Sequence, residues 1–133
     1  MHAYCYSLNM TLTHSKTHSK ASVEKAKELL LDKKAKNVAV IDLQNLENRV
    51  CDYFIVTHGT SDRHVQGLAE NLVEGLKEKE HLSPWHIEGM QNKEWILIDY
   101  ADIVVHIFQQ EIRSFYNLEE LWADAEITYY ESE

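Results

Sequence analysis

Apolar residues along this chain recur at two spacings, and each change of spacing marks an element. Val23, Ala26, Leu29 and Leu30 repeat at the helical period. Ser22 stands ready to cap that helix, with Glu24 in its first turn and Lys33 and Lys34 at its carbonyl end. Residues 38–43 and 52–57 are short apolar, β-branched runs expected to pair as a long hairpin across the polar connection 44–50. After Gly59, with Thr60 or Ser61 as cap, the positions Val65, Leu68, Ala69, Leu72, Val73 and Leu76 form one face of a helix over 62–79. That helix should stop near His81, ahead of Pro84. Residues 84–88 read as a strand whose opening proline belongs at a sheet edge.

The densest apolar stretch is 94–109, EWILIDYADIVVHIFQ. Residues 95–99 and 103–108 are so continuously apolar and β-branched that they are expected as paired central strands, covered on both faces. Trp95, Asp99, Asp102 and His106 stand out against that background. In a two-residue hairpin Asp99 and Asp102 would oppose each other across the last rung, a repulsive placement. Either they cap the turn through their side chains, or they await a cation, a metal or a partner's Lys or Arg. A tight turn also asks for φ > 0, which Ala101 supplies poorly. Beyond Gln109 the pattern turns helical again through Ile112, Phe115, Tyr116, Leu118, Leu121 and Trp122, interrupted at Asn117. The acidic residues 128–133 are expected to fray.

These elements make an α/β protein of the α+β kind: one domain over 22–126, with a mixed five-stranded sheet and helices packed on it. Residues 1–21 form a polar extension expected to be disordered, and 127–133 an acidic tail. A chain of 133 residues buries an ample core. Its formal net charge of −9 argues against a nucleic-acid binder held by phosphate contacts and suits a basic protein partner. Cys5 and Cys51 have neither zinc spacing nor a CxxC context, which points to a reducing compartment. No apolar run reaches membrane-spanning length. The expected location is the cytoplasm, or an organelle if the Ser- and Thr-rich leader is a transit segment.

Candidate chemistry is sparse. His14 and His18 have helical i, i+4 spacing, but they sit in the polar extension. Asp99, Asp102 and His106 are the one compact cluster, and a histidine on an apolar strand is more often a hydrogen-bonded core residue than a ligand. Cys51 and Ser61 lack a nucleophile's activating context. The junction at Gly59 has no P-loop lysine, so an ordinary helix start is expected there rather than an anion site. No catalytic residue, metal or cofactor is assigned.

Several stretches resemble the ribosomal silencing factor, or Iojap-like, family. They are Asp52-Tyr53-Phe54-Ile55-Val56 with Gly59-Thr60-Ser61, then Arg63-His64-Val65, then Glu88-Gly89, then WILIDYADIVVHIF from Trp95. Arg113, Phe115-Tyr116, Leu118-Glu119 and Leu121-Trp122 extend the likeness, which covers about residues 23–125. Ala101 departs from the family's usual glycine, and His58 stands where a smaller residue is common. The resemblance implies a nucleotidyltransferase-related fold without catalysis. It also implies binding to the fourteenth large-subunit ribosomal protein, obstruction of small-subunit joining, repression of translation, and in many members a homodimer. Lost catalysis agrees with the residues: no Asp-x-Asp or Asp-x-Glu pair follows Gly59-Thr60-Ser61 on a strand. On this reading the partner-binding residues are Trp95 as aromatic anchor, with Asp99, Tyr100, Asp102 and Glu88 around it. A metal-dependent nucleotidyltransferase and a ribosome-assembly adaptor are the alternatives. The sequence leaves open which face of the hairpin docks.

Overall fold

The computed structural model describes residues 12–47 and 49–132. Helix α1, Leu12–Asp32, starts well before Ser22, so Ser22 lies buried in its interior and is not a cap. Ser19 explains part of the extension: it is fully buried, and its hydroxyl donates to Asp52 Oδ2 at 3.2 Å, fastening α1 to the sheet. The side chains of His14 and His18 lie outside the described residues. The helix ends as its lysines suggest. Lys34 turns left-handed (φ 65°), and the N–H groups of Lys34 and Ala35 return to the carbonyls of Leu31 and Leu30, a Schellman closure.

Strands β1 (Lys36–Asp42) and β2 (Tyr53–Gly59) form the expected antiparallel pair, with an irregularity between Lys36 and Ala39 where Asn37 takes φ 45°. Helix α2, Asp62–Glu80, follows with Ser61 as N-cap, its hydroxyl accepting from His64 N at 3.1 Å. His81 closes it in the left-handed conformation. Val65, Leu68, Ala69, Leu72 and Leu76 are buried, while Val73 sits half-buried at the rim. Strand β3 (His86–Glu88) is the exposed edge that Pro84 foretells. Strands β4 (Trp95–Asp99) and β5 (Ile103–Gln109) form the central hairpin, and β5 also pairs in parallel with β2.

Two short helices come next, α3 (Gln110–Tyr116) and α4 (Leu118–Leu121), broken by Asn117 at φ 47°. Within its described residues the C-terminal segment does not fray. Glu126–Tyr130 forms β6, which pairs with β1 along its length. The Glu131 carboxylate accepts from Asn37 N at 3.1 Å, and Lys27 lies 4.2 Å over the Tyr130 ring. The sheet therefore has six strands, one more than expected, in the order β3-β4-β5-β2-β1-β6.

The long helices α1 and α2 cover one face of this mixed sheet, meeting Ile55, Ile96, Ile98, Val105 and Ile107. The opposite face carries Phe54, Val56, Val104, Phe108, Trp95 and Leu97, against Ile112, Leu118 and Trp122. Among the described residues, only short elements cover that second face.

Candidate functional site

Strand alternation decides which side of the hairpin faces outward. Ile96 and Ile98 are fully buried under the helices, so Trp95, Leu97 and Asp99 point to the other face. Trp95 lies opposite Phe108 and stacks on it, with centroids 4.9 Å apart and an interplanar angle of 28°. The indole Nε1–H donates to His106 Nδ1 at 3.1 Å. An acceptor at Nδ1 means that the neutral imidazole carries its proton on Nε2. His106 is 5 % exposed, and burial lowers its pKa to about 4. Phe54 meets it edge-on at 5.0 Å.

The segment after β5 completes the surface. Tyr116 packs on Trp95 at 4.7 Å, and Phe115, 80 % exposed, meets Tyr116 edge-on at 5.1 Å. Leu121, on α4, is 72 % exposed. Trp95 and Leu97 are half-buried, so they contribute both to the core and to the surface. A contiguous exposed patch of this kind is the usual mark of an interaction site.

A buried arginine holds this segment to the sheet. Arg113 donates to Glu119 Oε2 at 3.0 Å, to the Lys36 carbonyl at 3.3 Å and to His58 Nδ1 at 2.9 Å. Burial, and then the Arg113 charge, hold the His58 pKa below its ordinary value. His58, larger than the family's usual residue, is thus an acceptor for the arginine. Gly89 fixes the other approach to Trp95. It takes φ 89°, and a β-carbon there would overlap the Trp95 carbonyl.

The structure divides the expected set. Trp95 is on the aromatic face. Glu88 is exposed on β3 opposite Leu97, sharing that face, and pairs with His86 at 3.5 Å. Asp99, Tyr100 and Asp102 lie at the far end of the hairpin, about 14 Å along β4 from Trp95 at ~3.4 Å per residue. Asp99 opposes Val104, not Asp102. It is 5 % exposed, and its carboxylate accepts from Ala101 N at 2.7 Å. It is a turn-forming group, not a surface charge. Tyr100 belongs to the helix-side core, where burial raises its pKa to about 12. Asp102 is half-buried, and its carbonyl accepts from Asp52 N and Tyr53 N at 2.9 and 3.1 Å.

The residues missed by sequence reasoning are Phe115, Tyr116, Leu121 and the Arg113 anchor. Their signal was present in the apolar run after Gln109, which reads equally well as helix core.

At the Gly59 junction the loop satisfies itself. Thr60 N donates to His64 Nδ1 at 2.9 Å, and His64 Nε2 reaches the Lys33 carbonyl at 2.8 Å. Among the described residues, no three His, Cys, Asp or Glu side chains group as metal ligands. No described helix is long and apolar enough to cross a membrane.

Comparison with known proteins agrees with this architecture. The model of the family described as ribosomal silencing factor during starvation matches residues 16–133. The ribosomal silencing factor RsfS of Bacillus subtilis is 38 % identical over 94 residues, 71 % of this chain and 78 % of that protein. The mouse mitochondrial assembly of ribosomal large subunit protein 1 is 33 % identical over 106 residues, 78 % of this chain and 46 % of its own length. A crystal structure of a Chromobacterium violaceum protein superposes with a TM-score of 0.74 at 33 % identity, covering 78 % of this chain and 85 % of that one. With a family match across nearly its whole length and a shared fold, this chain belongs to the ribosomal silencing factor family.

Proposed function

We propose that this chain is a non-enzymatic translation repressor that docks its aromatic face on the large ribosomal subunit and thereby blocks joining of the small subunit. The observation that carries the reading is the cluster of half-buried Trp95 with exposed Tyr116 and Phe115 on the sheet face that the long helices leave free. Partly buried aromatic anchors dominate the energetics of such interfaces. The acidic chain complements a basic ribosomal protein, and the family resemblance names the fourteenth large-subunit protein as that partner. Glu88 lies at the edge of this face, suited to a rim contact with Lys or Arg. Asp102 is at the turn, outside the aromatic patch.

The test is sucrose-gradient sedimentation of the full chain with purified subunits, followed by a subunit-joining assay. Co-migration with large subunits and fewer joined ribosomes is expected. Failure to co-migrate at moderate salt would remove the reading. A second reading, an assembly adaptor that binds without silencing, is favoured by the name of the mouse relative. Binding without any loss of joined ribosomes would select it.

A further inference from the structure

His106 is almost wholly buried, with little surface to offer a partner, yet it is the polar group on which the central aromatic of the face rests. Its Nδ1 accepts the Trp95 indole N–H at 3.1 Å, while its Nε2 is buried without a hydrogen-bond partner among the described residues. A buried polar atom left unpaired is a local cost that an apolar side chain on this strand would avoid. The neighbours explain what the ring does there. Phe108 stacks under the indole and Tyr116 leans on it. Aromatic contacts of that kind limit the ring's tilt, but a flipped indole could still stack on them. The hydrogen bond distinguishes the two edges of the indole.

We infer that His106 is a positioning residue for docking: its Nδ1 fixes the Trp95 indole in one orientation, so that the aromatic face is already shaped before the partner arrives. This rests on the docking role proposed above for Trp95. Ordering an anchor beforehand removes an entropic cost from association, and an unheld side chain would lower affinity by roughly 2- to 12-fold. The effect passes through Trp95, because His106 itself is covered.

The test combines a measurement on the unaltered chain with paired variants. In the ¹⁵N-labelled protein, a scalar coupling across the hydrogen bond should link Trp95 Nε1 to His106 Nδ1, with the indole resonance assigned through Trp95→Phe. His106→Leu keeps apolar volume and removes the acceptor. It should abolish protection of the indole N–H from solvent exchange and weaken binding to purified large subunits by about 2- to 12-fold. His106→Asn, which can place an oxygen near the Nδ1 position, should recover most of that loss. In a Trp95→Phe background, with no indole N–H to hold, His106→Leu should cost nothing further. The inference is overturned if the coupling is absent, or if His106→Leu weakens binding equally with and without the indole. If Trp95→Ala binds large subunits like the unaltered chain, the docking reading itself fails, whatever the coupling shows.

Discussion

Ala101 holds φ 76° at the tip of the β4–β5 hairpin, a conformation in which a β-carbon crowds the backbone. The turn demands it. Tyr100 N donates to the Ile103 carbonyl at 2.8 Å, and Asp102 N returns to the Tyr100 carbonyl at 3.0 Å, the bond of a γ-turn centred on Ala101. Asp99 supports the strained residue by accepting its N–H. Ala101→Gly should therefore raise stability by about 0.5–1 kcal/mol, after the greater unfolded-state entropy of glycine is counted. Asp99→Ala should lower it by about 1–3 kcal/mol, since a buried donor loses its acceptor. Thermal melting of both variants checks the pair; equal melting temperatures would refute the turn geometry. Sequence alone shows the need for φ > 0 and leaves turn-capping by the aspartates as one of two readings, which the Asp99–Ala101 bond decides for Asp99. His106 gives a second residue-scale expectation. Its folded pKa of about 4 lies below the unfolded value near 6.5, so the unfolded chain takes up a proton first as pH falls. This contribution leaves stability intact above pH ~6.5, erodes it between ~6.5 and ~4, and levels off below, a loss on the order of 3 kcal/mol. Denaturant titrations across that window should show a flatter profile for His106→Asn than for the unaltered chain.

Helix α2 was legible because its signals agree: a serine cap, a regular apolar face, and a stop ahead of Pro84. Leu72 is fully buried on that face, and Leu72→Ala should cost roughly 2–5 kcal/mol as a cavity-forming change. A measured loss below about 0.5 kcal/mol would mean that the face is solvated. The elements that escaped the sequence are those held by distant partners. Helix α1 runs through Ser22, and Ser19 on it meets Asp52, the residue just ahead of β2, a contact no local pattern records. Strand β6 is at most half-buried, so its alternation is weak, and its place beside β1 is set by backbone pairing and by Glu131 on Asn37. Phe115 shares the helical spacing of Ile112 and Leu118, yet α3 is only two turns long and points it into solvent. Periodicity reports a helix face without saying whether anything lies against it.

At the scale of the whole molecule, the sheet has one face closed by two long helices and another closed only in part. The second side holds its own buried core at Phe54, Val56, Val104 and Phe108, so on the docking reading stability and docking separate residue by residue rather than by side. Phe115 is the residue that separates them most cleanly, because it is largely exposed and its ring contact is with Tyr116 alone among the described residues. Phe115→Ala should leave the melting temperature within about the ±0.5 kcal/mol scatter of surface substitutions. The same change should weaken large-subunit binding by at least about fivefold, the loss of an interface aromatic worth ~1 kcal/mol or more. Trp95→Ala should weaken binding by about 30-fold or more, as a hot-spot truncation does, and also lower stability, because the ring stacks on Phe108 and anchors to His106. Glu88→Ala, at an exposed rim, should mainly reduce the salt dependence of association and leave affinity at high salt unchanged. Gradient co-sedimentation at two ionic strengths reads all three variants together. If Phe115→Ala and Trp95→Ala both remain on large subunits at unaltered affinity, the partner meets some other surface and the aromatic patch has no part in docking.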